Sequence, residues 1–248
     1  MAMFELSIEN RVATLSMRRP EKRNAIANSA WRELAACAEE IGQSSAKMVL
    51  LCSAVDGIFS AGADIGEFTM PGDGEPRDLA GPMRSGLDAL AALSIPTVAH
   101  VDGGCFGAGV ALILACDIRL AGADARFGVP PAKLGLAYPA EDLARLAAAV
   151  GRAQAARLIF SGENIDREEA LRIGLVQMAA NGAAVGKFCN GIAANSASSL
   201  ATLKSLLDRG IAGRFDAESR NLFTQSFQSD DFASGLAAYH AGERPVFE

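Results

Sequence analysis

An α/β core followed by a C-terminal helical extension is the fold class the sequence predicts, on three observations. Short apolar runs alternate with amphipathic helical patterns through the first two thirds of the chain, and helical patterns dominate after residue 140. Two Gly/Ala-rich turns, SAGAD (60–64) and GCFGAG (104–109), each follow a buried apolar run and lead toward a helix. At 248 residues with 50% apolar content, the chain is long enough for one domain with a sizeable core.

Taken in order, Phe4–Glu9 and Val12–Ser16 read as strands around an Asn10-Arg11 turn. A basic cluster follows: Arg18, Arg19, Lys22 and Arg23 put four cations into six residues. A helix opens near Asn28 or Ser29 as N-cap, with Trp31, Leu34, Ala38 and Ile41 as its apolar stripe. Met48–Ala54 is a buried strand, residues 57–68 a Gly/Ala turn, and residues 69–78 a mobile polar loop at the mouth of a site. Leu79–Leu93 is helical, and Pro96 marks the change to a strand at Thr97–Val101. A Gly-rich turn then leads to an apolar helix over Ala108–Ala115. Short strands at Asp117–Ala121 and Ala125–Phe127 precede an irregular segment, Gly128–Pro139. Helices are predicted at Glu141–Val150, Arg152–Ser161, Arg167–Ile173, Ala184–Ala194, Ser198–Asp208 and Asp230–His240, with a strand at Leu175–Met178.

Composition narrows the chemistry. Net charge is −6, which argues against nucleic acid or an anionic membrane surface as partner. No apolar run approaches a membrane span, and the N-terminus lacks a secretory pattern, so a cytoplasmic address is expected. Five scattered cysteines (Cys37, Cys52, Cys105, Cys116, Cys189) form no CxxC pair and read as reduced core residues. With two histidines, His100 and His240, neither a histidine metal site nor a His-based triad is expected.

The Gly-rich turns offer a different chemistry. A helix N-terminus presents unpaired N–H groups and a positive dipole end, so each turn can hold developing negative charge. N–H groups from two turns can converge on one oxygen. The basic cluster, set in an acidic chain, suits a multiply phosphorylated ligand, although a solvated basic turn would look the same.

Five segments, RRPEKRNAI (18–26), FSAGADI (59–65), GGCFGAGVALILACD (103–117), FGVPPAKLGL (127–136) and SGENIDREEALRIGLV (161–176), resemble the enoyl-CoA hydratase/isomerase (crotonase) family in content and order. The resemblance implies a spiral of repeated β-β-α units over residues 1–190 and a helical trimerisation region over 191–248. It also implies an acyl-CoA thioester as substrate, fatty-acid-type metabolism, a homotrimer or homohexamer, and no cofactor beyond the coenzyme A of the substrate. Carried over by position, the oxyanion-hole N–H groups fall on Ala61 and Ala108. Lys22 and Arg23 fall where the family holds the coenzyme A phosphates, and Ala63, Asp64 and Ile65 line the pocket near the adenine and pantetheine.

The departures bear on the reaction. The family's two hydratase glutamates fall on Ala111 and Pro131, and an aspartate used by some relatives falls on Pro139, none of which can move a proton. Tyr138, Glu141 and Asp142 are the nearby groups that could substitute, in that order. Helix capping competes for the two acids, and a satisfied loop aromatic competes for the tyrosine. Decarboxylases of the superfamily acting on methylmalonyl-CoA resemble the chain here, with proline at the glutamate position and a loop tyrosine. The leading reading is an enoyl-CoA hydratase/isomerase-like enzyme that stabilises a thioester enolate; the alternatives are decarboxylation of a malonyl-type thioester using Tyr138, and acyl-CoA binding without turnover.

Overall fold

The computed structural model describes residues 2–69 and 78–247. The loop expected at residues 69–78 therefore lies almost wholly outside the described residues. The chain opens on a hairpin of β1 (Phe4–Glu9) and β2 (Val12–Met17), paired from Phe4↔Met17 to Glu9↔Val12. Asn10 and Arg11 both adopt positive φ, 49° and 64°, the geometry of a two-residue hairpin turn whose twist matches the strands. After a 3₁₀ turn at Pro20–Lys22 come β3 (Ala25–Ile26) and α1 (Asn28–Gly42). Trp31, Leu34, Ala38 and Ile41 form the buried stripe of α1, as their spacing predicts. Its capping differs from the expectation. Ala27 is the N-cap, and the Asn28 N–H is taken by Glu67 Oε2 at 2.6 Å, from a segment far along the chain.

β4 (Met48–Ser53), β5 (Ile58–Ser60), β6 (Gly62–Ala63), a 3₁₀ turn at Ile65–Glu67 and α2 (Ala80–Ala91) follow. Then come β7 (Thr97–Val101), β8 (Gly104–Phe106), α3 (Ala108–Leu114), β9 (Ile118–Ala121) and β10 (Arg126–Gly128). The second Gly-rich turn thus contains a strand that its composition hid. β8 pairs in parallel with β5 and β10, so tertiary pairing overrides the weak strand propensity of glycine.

The C-terminal part contains α4 (Ala140–Val150), α5 (Arg152–Ser161), β11 (Asn164–Asp166), α6 (Arg167–Arg172), β12 (Met178–Ala179) and α7 (Gly182–Ala193). α8 (Ala197–Ile211), α9 (Ala217–Ser226) and α10 (Asp230–Ala241) complete it. The sequence does not predict helix α9, because ESRNLFTQS shows no apolar face of its own. The strand expected at Leu175–Met178 is displaced: Leu175 and Val176 are core residues, and only Met178–Ala179 pair with β9.

Three sheets result among the described residues. The largest runs β1-β2-β4-β7-β9-β12 and is parallel except at its hairpin; β11-β10-β8-β5 and β3-β6 are smaller. The large sheet is covered on both faces, as parallel sheets require. One face packs on the main core with Trp31, Leu34, Leu87 and Leu112; the other packs on α7 through Val185 and Cys189. All five cysteines are free thiols. Among the described residues no helix is long and apolar enough to cross a membrane.

Candidate active site

The two Gly/Ala turns meet. Gly62 is held at φ +98°, and a Cβ there would lie 2.9 Å from the Phe106 carbonyl oxygen and 3.5 Å from the Ala108 nitrogen. Only glycine permits that approach of β6 to the start of α3. Between them opens a cavity of about 210 Å³, lined by both turns, by Phe68 and Met83, and by the Pro130–Pro139 segment. At the head of α3, Gly107 has φ 49° and its N–H is taken by the Gly128 carbonyl at 2.9 Å. The Ala108 N–H has no acceptor among the described residues and borders the cavity. It is an orphan first-turn donor at the positive end of a helix.

The other N–H differs from the expectation. Ala61 lines the cavity, but its N–H donates to the Arg23 carbonyl at 2.9 Å and is not free for a ligand. Three residues on, the Asp64 N–H donates to the Ile26 carbonyl at 3.0 Å. Successive N–H groups along a strand point to opposite sides. The Ala63 N–H, immediately before that of Asp64, therefore turns away from β3, on a residue that also lines the cavity. The FSAGADI motif marked the turn but not the register, which β3 sets by pairing Ala25↔Gly62 and Ile26↔Ala63.

The basic cluster divides into two roles. Arg19 is consumed structurally: it binds Asp64 at 2.8 Å and the Ala25 carbonyl at 2.8 Å. Burial alone would raise the Asp64 carboxyl, but Arg19 and the Gly66 N–H outweigh it and hold the group below the usual carboxylate range. Arg18 faces Glu5 at the surface. Lys22 and Arg23 are exposed and have no ion-pair partner among the described residues. Sequence reasoning passed over the residue that fixes this turn. Asn24, fully buried at φ 51°, donates to Ser53 Oγ and the Phe59 carbonyl and accepts from the Arg19 N–H. Its own carbonyl accepts from Ser60 Oγ at 2.7 Å, which welds the basic turn to SAGAD. An Asn between the cations and the following apolar pair was the only local signal, and its burial is decided by the tertiary structure. Ile65, 62% exposed, stands at the rim of the cavity.

Of the three groups that the sequence offers for proton transfer, Tyr138, Glu141 and Asp142, the structure brings one to the cavity. Tyr138 lines it, and its hydroxyl donates to the Gly107 carbonyl at 2.9 Å. Burial, then the Asp142 charge, push the phenol well above its ordinary pKa, so it stays protonated at neutral pH. Glu141 is exposed and Asp142 buried, both in the first turn of α4, and neither lines the cavity. They border an adjoining hollow with Arg84, which shares Met83 and Pro139 with the cavity. The Asp142 carboxylate pairs with Arg84 at 3.0 Å and lies 3.7 Å from Arg145. Its position serves the docking of α4 on α2. Pro131 and Pro139 line the cavity, whereas Ala111 is fully buried inside α3. No carboxylate lines the cavity among the described residues.

Comparison with known proteins agrees with this architecture. The sequence profile described as enoyl-CoA hydratase/isomerase matches residues 7–248. The chain is 31% identical over 242 residues to a short-chain-enoyl-CoA hydratase of Clostridium acetobutylicum, covering 94% of this chain and 93% of that one. It superposes on an enoyl-CoA hydratase/carnithine racemase from Magnetospirillum magneticum with a TM-score of 0.93 at 30% identity, covering 100% of this chain and 96% of the other. A family protein from Hyphomonas neptunium gives 0.92 at 32% identity, with 99% and 97% covered. The fold, the order of its motifs and these similarities together establish that the chain belongs to the enoyl-CoA hydratase/isomerase family.

Proposed function

We propose that the chain binds an acyl-CoA thioester and stabilises its enolate, with the thioester oxygen taken by the N–H groups of Ala63 and Ala108. The observation that carries this reading is the apposition of Gly62 and Ala108 across an apolar cavity, with the Ala108 N–H unpaired. Each such donor in a water-poor site is worth roughly 2.7–4 kcal/mol at the transition state. Coenzyme A enters as part of the substrate.

The cavity lining favours decarboxylation of a malonyl-type thioester over hydration. Hydration needs a group to activate water, and losing a general acid or base costs ~10²–10⁴-fold. Decarboxylation needs no base: the bond from Cα to the carboxylate breaks, CO₂ leaves, and its electron pair becomes the enolate held by the two N–H groups. A solvent-derived proton then adds to Cα. The apolar walls favour spreading the localised carboxylate charge into the thioester. Comparing turnover of methylmalonyl-CoA and crotonyl-CoA tests this reading. CO₂ release from the first is expected, with hydration of the second at least ~10²-fold below an ordinary family hydratase. Hydration at the family's usual rate would overturn it; binding of both without turnover would make the chain an acyl-CoA-binding member.

Lys22 and Arg23, exposed cations whose turn is joined to the cavity-lining Ala61 through the Arg23 carbonyl, are proposed to hold the coenzyme A phosphates. Replacing both with Glu is expected to raise the Kd for an acyl-CoA at least tenfold, about 1.4 kcal/mol. Isothermal titration would show it, and an unchanged Kd would remove the pair from the site. Assembly into trimers is likewise proposed. α8, α9 and α10 contain no buried residue in the single chain, while Leu203, Leu207, Ile211 and Phe223 are exposed. Exposed large apolar side chains concentrated on these helices suit a face covered by other copies of the chain.

A further inference from the structure

Among the described residues, Tyr138 is the one cavity-lining side chain with an O–H group. That O–H is already engaged, 2.9 Å from the Gly107 carbonyl oxygen. The Gly107 carbonyl and the Ala108 N–H are opposite ends of one peptide group. In a trans peptide they point in opposite directions, so the phenol donates from behind the plane whose N–H faces the cavity. The same oxygen accepts from the Val110 N–H at 2.9 Å and the Ala111 N–H at 3.3 Å. Tyr138 is the single side chain in that convergence. Electron density drawn onto an amide oxygen leaves its N–H more positive, and serial hydrogen bonds strengthen one another where the dielectric is low. Gly107 itself sits at φ 49°, ψ −118°, a conformation that does not by its own preference fix the following peptide plane.

We propose that Tyr138 is a positioning residue: through the Gly107 carbonyl it orients and polarises the Gly107–Ala108 peptide that receives the thioester oxygen, and it does not itself pass a proton. The proposal rests on the reading of the Ala108 N–H as an oxyanion donor. A phenol whose hydrogen is directed at a carbonyl behind the site has no free proton for the α-carbon in front of it. Its persistent protonation keeps that donation in place.

The test uses a chromophoric aryl-acryloyl-CoA thioester, whose absorption moves to longer wavelength as its carbonyl is polarised. The wild-type protein should shift it. Tyr138→Phe is expected to lose at least about half of that shift, with Kd changed less than about threefold. kcat on the working substrate should fall about tenfold at nearly constant KM, less than the ~10²–10³ of deleting a donor outright. A ring-fluorinated tyrosine at position 138, a stronger donor of the same shape, should enlarge the shift. A full shift in Tyr138→Phe with turnover lost would make Tyr138 a direct proton donor and overturn the proposal. Shift and turnover both unchanged would reduce it to a packing residue. Binding without any shift in the wild-type protein would overturn the oxyanion-hole reading, and this proposal with it.

Discussion

Gly62→Ala is expected to lose at least about 100-fold in kcat on whichever acyl-CoA the wild-type protein turns over, the scale of removing one oxyanion donor. Two effects act together. At φ +98° an alanine is strained, at a cost of order 1–3 kcal/mol. Its methyl would also meet the Phe106 carbonyl oxygen at 2.9 Å, tighter than real Cβ contacts, and stand 3.5 Å from the Ala108 nitrogen. Relief of the clash must separate β6 from α3, which moves one candidate donor from the other. Gly57→Ala separates strain from blockage. Gly57 also has positive φ, +69°, but a Cβ there meets nothing within 4 Å. That variant should lose about 1 kcal/mol of stability and keep its turnover. Gly62→Ala within threefold of wild type would mean that the two turns do not form the reactive centre.

The second large effect concerns stability. Asp142→Ala is expected to cost about 3 kcal/mol, measured by guanidinium denaturation. The Asp142 side chain is 1% exposed, and its removal takes away the buried one of the two carboxylates paired with Arg84, leaving the more exposed Asp88 at 2.9 Å. Breaking a buried ion pair costs roughly 3–5 kcal/mol when the remaining charge has no other partner. Arg84 remains 25% exposed and can recover some hydration, which places the estimate at the lower end. Glu141→Gln, one residue earlier and exposed, should stay within about 0.5 kcal/mol. If Asp142 moved protons, Asp142→Asn would abolish turnover in a protein of near-native stability. The ion pair predicts the reverse: measurable turnover in a less stable protein.

Local chemistry determined much by itself. The α1 stripe from Trp31 to Ile41, the hairpin around Asn10-Arg11 and the strand at Met48 follow from periodicity and turn chemistry, which act over a few residues. Motif order likewise sufficed for the family, and alanine and proline at positions 111, 131 and 139 are visible absences of a proton donor. What only the tertiary structure decided was direction and partnership. Ala61 and Ala63 are equivalent as residue types, but pairing of β6 with β3 gives the Ala61 N–H to Arg23 and turns that of Ala63 outward. Tyr138, Glu141 and Asp142 lie within five positions in sequence, yet one faces the cavity, one faces solvent and one is buried against Arg84. Asn24 reads as a turn residue until Ser53, Phe59 and Ser60 close around it. Hydrogen-bond direction and charge pairing depend on groups brought together from 30 to 60 residues away, and no local pattern encodes which of them arrive.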